Sequence, residues 1–265
     1  MKKILLFFSI ILFLSACTGN QKTYYISMPN FKSTFEEHNN TNANSPKVKI
    51  NDVEIIKNTF YSSYFEQSTL NQRINKSLEL LKKQLLEDSK ALLQSKGYII
   101  DNENPDYAFN IVINASLYED RVTRNSSLGG DSVESSFMII LEAQSHLNNL
   151  HQEDTFQSTT SSAKLNDPII LYYPIKGQAS IESFREVYSA VPTQVNESLA
   201  ASALEIDKVF VAFYKEIASS LKTSIKEIKE EPKTQENSEV QDVKQDDKKE
   251  EKATPYQNNE VIIFE

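Results

Sequence analysis

The chain has 265 residues, of which 28 are Lys or Arg and 37 are Asp or Glu, a net charge of -9. That acidic balance argues against a nucleic-acid partner and against adsorption to anionic lipid by charge alone. A single cysteine excludes an intrachain disulfide and a Cys-ligated zinc site, and the five glycines form no phosphate-cradling loop.

Lys2 and Lys3 precede an apolar stretch over residues 4–14 that is too short to span a bilayer as a helix. It ends in Leu14-Ser15-Ala16-Cys17, which resembles the lipobox of bacterial lipoproteins. The resemblance implies that residues 1–16 are a signal peptide cut before Cys17, that the Cys17 sulfur takes a diacylglycerol, and that the new amine is acylated. Each acyl methylene buried in lipid contributes about 0.8 kcal/mol, so several chains anchor almost irreversibly. The mature chain keeps 26 cations against 37 acids, a net -11, and no free thiol. Thr18 and Gly19 follow the cysteine in place of the Asp that retains enteric lipoproteins in the inner membrane. The expected location is therefore the outer membrane, with the lipid bilayer as partner through Cys17.

Residues 17–46 read as acylated cysteine and polar tether, within which Tyr24-Tyr25-Ile26 has the composition to dock as a short strand. A single folded domain is expected over residues 47–228. It opens with a strand over residues 53–61. Leu70, Ile74, Leu78, Leu81, Leu85 and Leu92 then recur at helical spacing behind Ser68 as N-cap, and Lys96-Gly97-Tyr98 supplies the stop. Tyr98-Ile99-Ile100 starts a strand. Tyr107, Phe109, Ile111, Ile113, Ala115 and Leu117 alternate onto one face of the next, with Asn110, Asn114 and Ser116 on the other. A polar loop is expected over residues 119–131, then a strand over 137–147, a turn at Asn148-Asn149 and a Ser/Thr-rich edge strand over 155–163. Residues 166–192 have no clear pattern beyond the apolar run Ile169-Ile170-Leu171-Tyr172-Tyr173-Pro174 and a short helix over 181–188. Leu199, Ala203, Ile206, Phe210, Phe213, Ile217, Leu221 and Ile228 form the stripe of a final helix. Residues 229–265 are a charged tail too polar to fold, closed by Val261-Ile262-Ile263-Phe264. That apolar end reads equally as a strand for a sheet edge or as a segment with no role. The fold class is α+β: a mostly antiparallel sheet of four to five strands with two long amphipathic helices on one face.

No catalytic residue, cofactor or metal is assigned, and the chain is expected not to be an enzyme. His146 and His151, with Glu142, Glu153 and Asp154 nearby in sequence, read as solvated hairpin residues rather than as a metal site. Asp101, Glu103 and Asp106 read as a solvated turn. Tyr172, Tyr173 and Phe184 have two readings: exposed aromatics that stack on a ligand, or side chains packed under the sheet.

Ser45-Pro46-Lys47-Val48 before a strand, Leu93-Gln94-Ser95-Lys96-Gly97-Tyr98-Ile99-Ile100 at the helix end, Ser202-Ala203-Leu204 through Phe210, and Ile217-Ala218-Ser219-Ser220-Leu221-Lys222 resemble the arrangement of the HpaA-like lipoproteins of Helicobacter and relatives, the neuraminyllactose-binding haemagglutinins. The resemblance covers residues 45–225 apart from 166–192. It implies an outer-membrane or surface lipoprotein with adhesin-like behaviour. That family's sialic-acid determinant is a basic segment after the central strand. Here the place holds Glu119-Asp120-Arg121-Val122-Thr123-Arg124-Asn125, so Arg121 and Arg124 are the cations left to pair with a carboxylate ligand.

The leading expectation is an adhesin-like surface lipoprotein that binds a host glycan, sialylated or not, or another host surface component through residues 121–130, with Tyr172 and Tyr173 as further ligand-binding candidates. The alternative is a periplasm-facing assembly, regulatory or transporter-auxiliary lipoprotein with an envelope protein as partner. The Tyr24-Tyr25 patch resembles transporter-auxiliary lipoproteins.

Overall fold

A computed structural model describes residues 22–36, 40–127, 130–152, 156–175 and 191–228. The signal peptide with Cys17, the segment with Phe184 and the expected helix over 181–188, and the tail over 229–265 lie outside the described residues. The strands are β1 Thr23–Tyr25, β2 Lys47–Ile50, β3 Glu54–Phe60, β4 Ile99–Ile100, β5 Tyr107–Ser127, β6 Gly130–Asn149, β7 Phe156–Lys164, β8 Ile169–Ile175 and β9 Gln194–Asn196. The helices are α1 Ser63–Glu66, α2 Thr69–Ser95 and α3 Glu197–Ser224. None of the helices described is long and apolar enough to cross a membrane.

The class is α+β, but the sheet is larger and more mixed than expected. Seven strands run in the order β4-β2-β5-β6-β7, with β3 also on β5 and β8 also on β6. β2 pairs in parallel with β4 and with β5, and β3 pairs in parallel with β5, whereas the β5, β6, β7 and β8 pairings are antiparallel. The parallel half follows from α2. Its 27 residues carry the chain about 40 Å back to the end where β2 began, so the strand that follows repeats the direction of the strand before.

α2 starts where Ser68 Oγ accepts from the Asn71 amide at 3.2 Å. It stops in a Schellman motif. The Tyr98 amide donates to Leu93 O and the Gly97 amide to Gln94 O, while Gly97 takes φ +92°. α3 starts at Asn196, whose Oδ1 accepts from the Ser198 amide. It buries the expected stripe from Leu199 to Leu221. Ile228 is not part of that stripe. The helix ends at Ser224, and Ile228 instead lies over Gly97, its amide donating to Lys96 O.

Both long helices cover one face of the sheet. α2 touches β2, β3 and β4, and α3 touches β6, β7 and β8. Lys57 bonds to Asn75 of α2, and Ser161 to Ser220 of α3. The sheet partners of those residues, Ala115 and Ala143, are buried on the same face as Ile113, Leu117, Ile139 and Leu141. Strict alternation in β5 and β6 leaves the other face open to solvent.

The segment expected as a tether is instead a strap across the helices. β1 pairs antiparallel with β9, the Ile26 amide donates to Thr193 O, and the Glu197 amide to Lys22 O. Phe31 is buried against Tyr214, with ring centroids 5.4 Å apart. The reason lies in two polar residues on the helices. Arg73, with no exposed surface, donates to the carbonyls of Ile26, Ser27 and Pro192 and to Asp207. The Tyr214 hydroxyl lies 2.9 Å from Lys32 O and 2.5 Å from Asp88 Oδ2. These groups need partners inside the protein, and the strap backbone supplies them.

Candidate functional site

The segment expected as a polar loop is the upper part of a long β5–β6 hairpin that reaches Ser127 and Gly130. Glu119 explains why pairing continues. Its carboxylate is buried, accepting from Ser135 Oγ at 2.6 Å, Tyr173 Oη at 2.8 Å and the Ser62 amide at 2.7 Å. It ties β5, β6, β8 and the start of α1 together at one point. A glutamate at the start of the expected loop is thus a polar anchor of the sheet, and the three donors offset its loss of water.

The two arginines are set by an irregularity just beyond. The β5–β6 register shifts between Asp120 and Thr123, and Arg121 takes φ +50° there. Arg121 is exposed. Arg124 stands opposite Val133, on the helix-facing side, and its guanidinium is held by Asp131. The same pair, with Ser126 beside it, holds the Asp131 carboxyl below its usual range. Arg124 therefore has a partner within the hairpin, and a ligand carboxylate would compete with Asp131 for it. Tyr172 and Tyr173 separate. Neighbours in a strand point to opposite faces. Tyr173 is 0% exposed and stands with its ring 6.3 Å from that of Tyr64. Tyr172 is 46% exposed on the open face. Tyr173 is therefore a core residue rather than a ligand contact, and the four candidates do not converge.

The open face does carry several large exposed side chains, of which sequence patterning had singled out Tyr172 alone. Phe60 of β3, 68% exposed, stands beside Tyr118 of β5, and Tyr118 beside Met138 of β6. Two rows on, Ile170 stands opposite Ser136, and Tyr172 opposite Glu134. Tyr118 and Ile170 are also exposed. The signal was present: Tyr118 continues the Asn114, Ser116 series, so a large aromatic stands where the two preceding residues of that face are polar. The patch lies at the end of the molecule where α3 begins, since Ser198 Oγ donates to Tyr172 O at 3.0 Å.

Among the described residues no group of His, Cys, Asp and Glu has the arrangement of a metal site. His151 lies 3.3 Å from Asp106 and is exposed. Asp101 accepts from the Glu103 and Asn104 amides and from Lys47 Nζ, which lowers its carboxyl to about 2. Asp106 accepts from the Lys47 amide at 2.7 Å. These acids organise the turn between β4 and β5. A shallow apolar groove of about 600 Å³ runs along α3 past Ala201, Leu204, Val211 and Ala212, with Pro29 of the strap as its other wall.

Residues 1–18 match the family model for the prokaryotic membrane lipoprotein lipid attachment site. No curated protein matches by sequence. Among solved structures, the chain is similar to one described as a neuraminyllactose-binding hemagglutinin homolog from Helicobacter pylori. The identity is 15%, with 73% of this chain and 99% of that one covered, at a TM-score of 0.31. It is also similar to a minor lipoprotein from Acinetobacter baumannii, at 8% identity, with 68% and 94% covered and a TM-score of 0.25. Protein XCC0632 from Xanthomonas campestris is similar at 9% identity, with 77% and 100% covered and a TM-score of 0.22. Likeness at these TM-scores carries no argument about function. The attachment-site match does carry one: the chain is a membrane-anchored lipoprotein, held through acylated Cys17.

Proposed function

We propose that this chain is a non-catalytic lipoprotein of the outer membrane that binds an envelope protein through the open face of its sheet. The observation that carries the reading is the exposed row of Phe60 and Tyr118 beside Met138 on β3, β5 and β6, with Ile170 and Tyr172 of β8 on the same face beyond Ser136 and Glu134. Large side chains of this kind, gathered on one exposed face, are what a protein partner desolvates. Its position supports a partner in the same envelope. The patch lies at the end where α3 begins, and the strap enters at that same end, with Lys22 O bonded to the first residue of α3. A binding surface beside the lipid anchor suits a neighbour in or on the same membrane, whereas an adhesin holds its ligand site out at the far end. The buried acids Glu119 and Asp88 are bonded to structural partners, which is the use a binding module makes of them. The Thr18-Gly19 pair after the cysteine supports outer-membrane sorting.

The test is photo-crosslinking in intact cells, with a benzophenone side chain placed at Phe60 or Tyr172 and, as control, at Glu79 on the exposed face of α2. Discrete adducts from the two open-face positions and none from Glu79 support the reading. Absence of an adduct at both open-face positions overturns it. Protease shaving of the same cells then separates a periplasmic partner from a surface one. Loss of the domain from unbroken cells restores the adhesin reading, with Arg121 as the cation to substitute.

A further inference from the structure

We infer that the protein makes a second, side-chain contact with the bilayer that holds it, through β1 and the first turns of α3. The inference is independent of the open-face partner. It begins with the length of chain between the anchor and the fold. A tether over residues 17–46 would let the domain drift far from the membrane. The strap removes that freedom, because the chain is already tied to the fold at Lys22: its carbonyl accepts from the Glu197 amide, and β1 pairs with β9 from Thr23 onward. Between Cys17 and Lys22 the backbone spans at most about 18 Å. The end of the molecule that carries β1 is therefore confined to the headgroup layer and the water just above it.

That end has an interfacial surface. Tyr25 is 75% exposed and stands opposite Gln194. Tyr24 is exposed and reaches across to Glu197 at the start of α3, its hydroxyl 3.2 Å from Oε1. Leu204, two turns along the same helix, is 49% exposed, and it opens the apolar groove beside Pro29. Tyrosine rings gather at membrane interfaces because the ring leaves water while the hydroxyl stays in it. Held so close by the acyl chains, these groups meet the interface as an intramolecular event, so each need contribute little for the contact to persist. The acidic charge of the chain, with Glu197 and Glu205 beside these groups, opposes close approach to anionic lipid, and the acyl anchor has to offset that repulsion.

The chain has no tryptophan, so one introduced residue reports alone. Full-length acylated protein carrying Tyr25→Trp, Leu204→Trp or, at the opposite end, Leu150→Trp is reconstituted into vesicles of phosphatidylethanolamine and phosphatidylglycerol, with and without lipids brominated near the headgroup. All three native residues are exposed, so the fold tolerates the changes. The expected result is emission blue-shifted by several nanometres, bromine quenching and lowered access to acrylamide at positions 25 and 204, with position 150 unchanged from water. Equal, water-like emission at all three positions overturns the inference. Quenching that includes position 150 overturns it as well, because it shows lipid contact without orientation.

Discussion

Arg73 shows how one side chain decides what the N-terminal third of the chain does. It is the one cation on the buried stripe of α2, a turn below Leu70, and its guanidinium is spent on Asp207 and three strap and loop carbonyls. Burial pushes the Asp207 carboxyl up, with the Arg73 hydrogen bonds opposing that push. Removing one member of such a pair leaves the other uncompensated, at about 3–5 kcal/mol. Arg73→Ala is thus expected to lower the midpoint of thermal unfolding by about 10 °C, and to open residues 26–32 to protease before the rest of the domain. Combined replacement, Arg73→Met with Asp207→Leu, is expected to recover part of the loss, read in the same melt. Asp101 works at the surface instead. Its carboxyl is lowered from 3.8 to about 2, first by Lys47 and then by two turn amides. A depressed carboxylate contributes stability above its ordinary value and loses that contribution as the pH falls from 3.8 toward about 2. Carboxyl-detected NMR should place the Asp101 midpoint near the lower value, and Lys47→Ala should return it most of the way to 3.8. An unmoved midpoint would assign the shift to the turn amides alone.

Elements were legible wherever one face of one element carried the whole pattern. The α2 cap, its Schellman stop and the α3 stripe follow from local sequence, because the groups that satisfy the helix ends lie within a few residues. Gly97 is the sharpest case. At φ +92° a side chain is strained, and an added Cβ would lie 3.3 Å from Ile228 Cβ, so Gly97→Ala is expected to destabilise by roughly 1 kcal/mol or more, measured by urea titration. The parallel pairings were missed although the length of α2 implies them, because β2, four residues long, was not read as a strand and the sheet was taken as mostly antiparallel. The hairpin above Tyr118 was missed for another reason. Its pairing depends on Glu119 meeting Ser62, Ser135 and Tyr173, residues far apart in sequence. A buried carboxylate of that kind looks, in sequence, like any surface glutamate. The candidate site was the least legible: Tyr173 is buried with its hydroxyl on Glu119, and Arg124 meets Asp131 across the hairpin, partners that local sequence does not reveal.

On the scale of the whole domain, the strap shortens the link between the anchor and the fold and so bears on how the domain is oriented. Both long helices begin at the anchor end, and the last described residue, Ile228, lies at the other, against Lys96 and Gly97. α3 alone, with 28 residues, separates the two ends by about 40 Å. Orientation of this kind exists only if the strap is part of the folding unit rather than an ornament on it. The contacts argue that it is. Loss of Phe31 alone removes a buried aromatic, an effect of about 3–5 kcal/mol, and loss of the strap also strips Arg73 of two carbonyl partners and Tyr214 of one. The sum approaches the whole stability of an ordinary domain, about 5–15 kcal/mol. A chain begun at residue 46 is therefore expected to lose the cooperative melt and the near-ultraviolet tyrosine dichroism that a chain begun at residue 20 retains. If the shorter chain unfolded with the same midpoint and sharpness, the strap would be dispensable, and the orientation argued from it would have to come from the lipid alone.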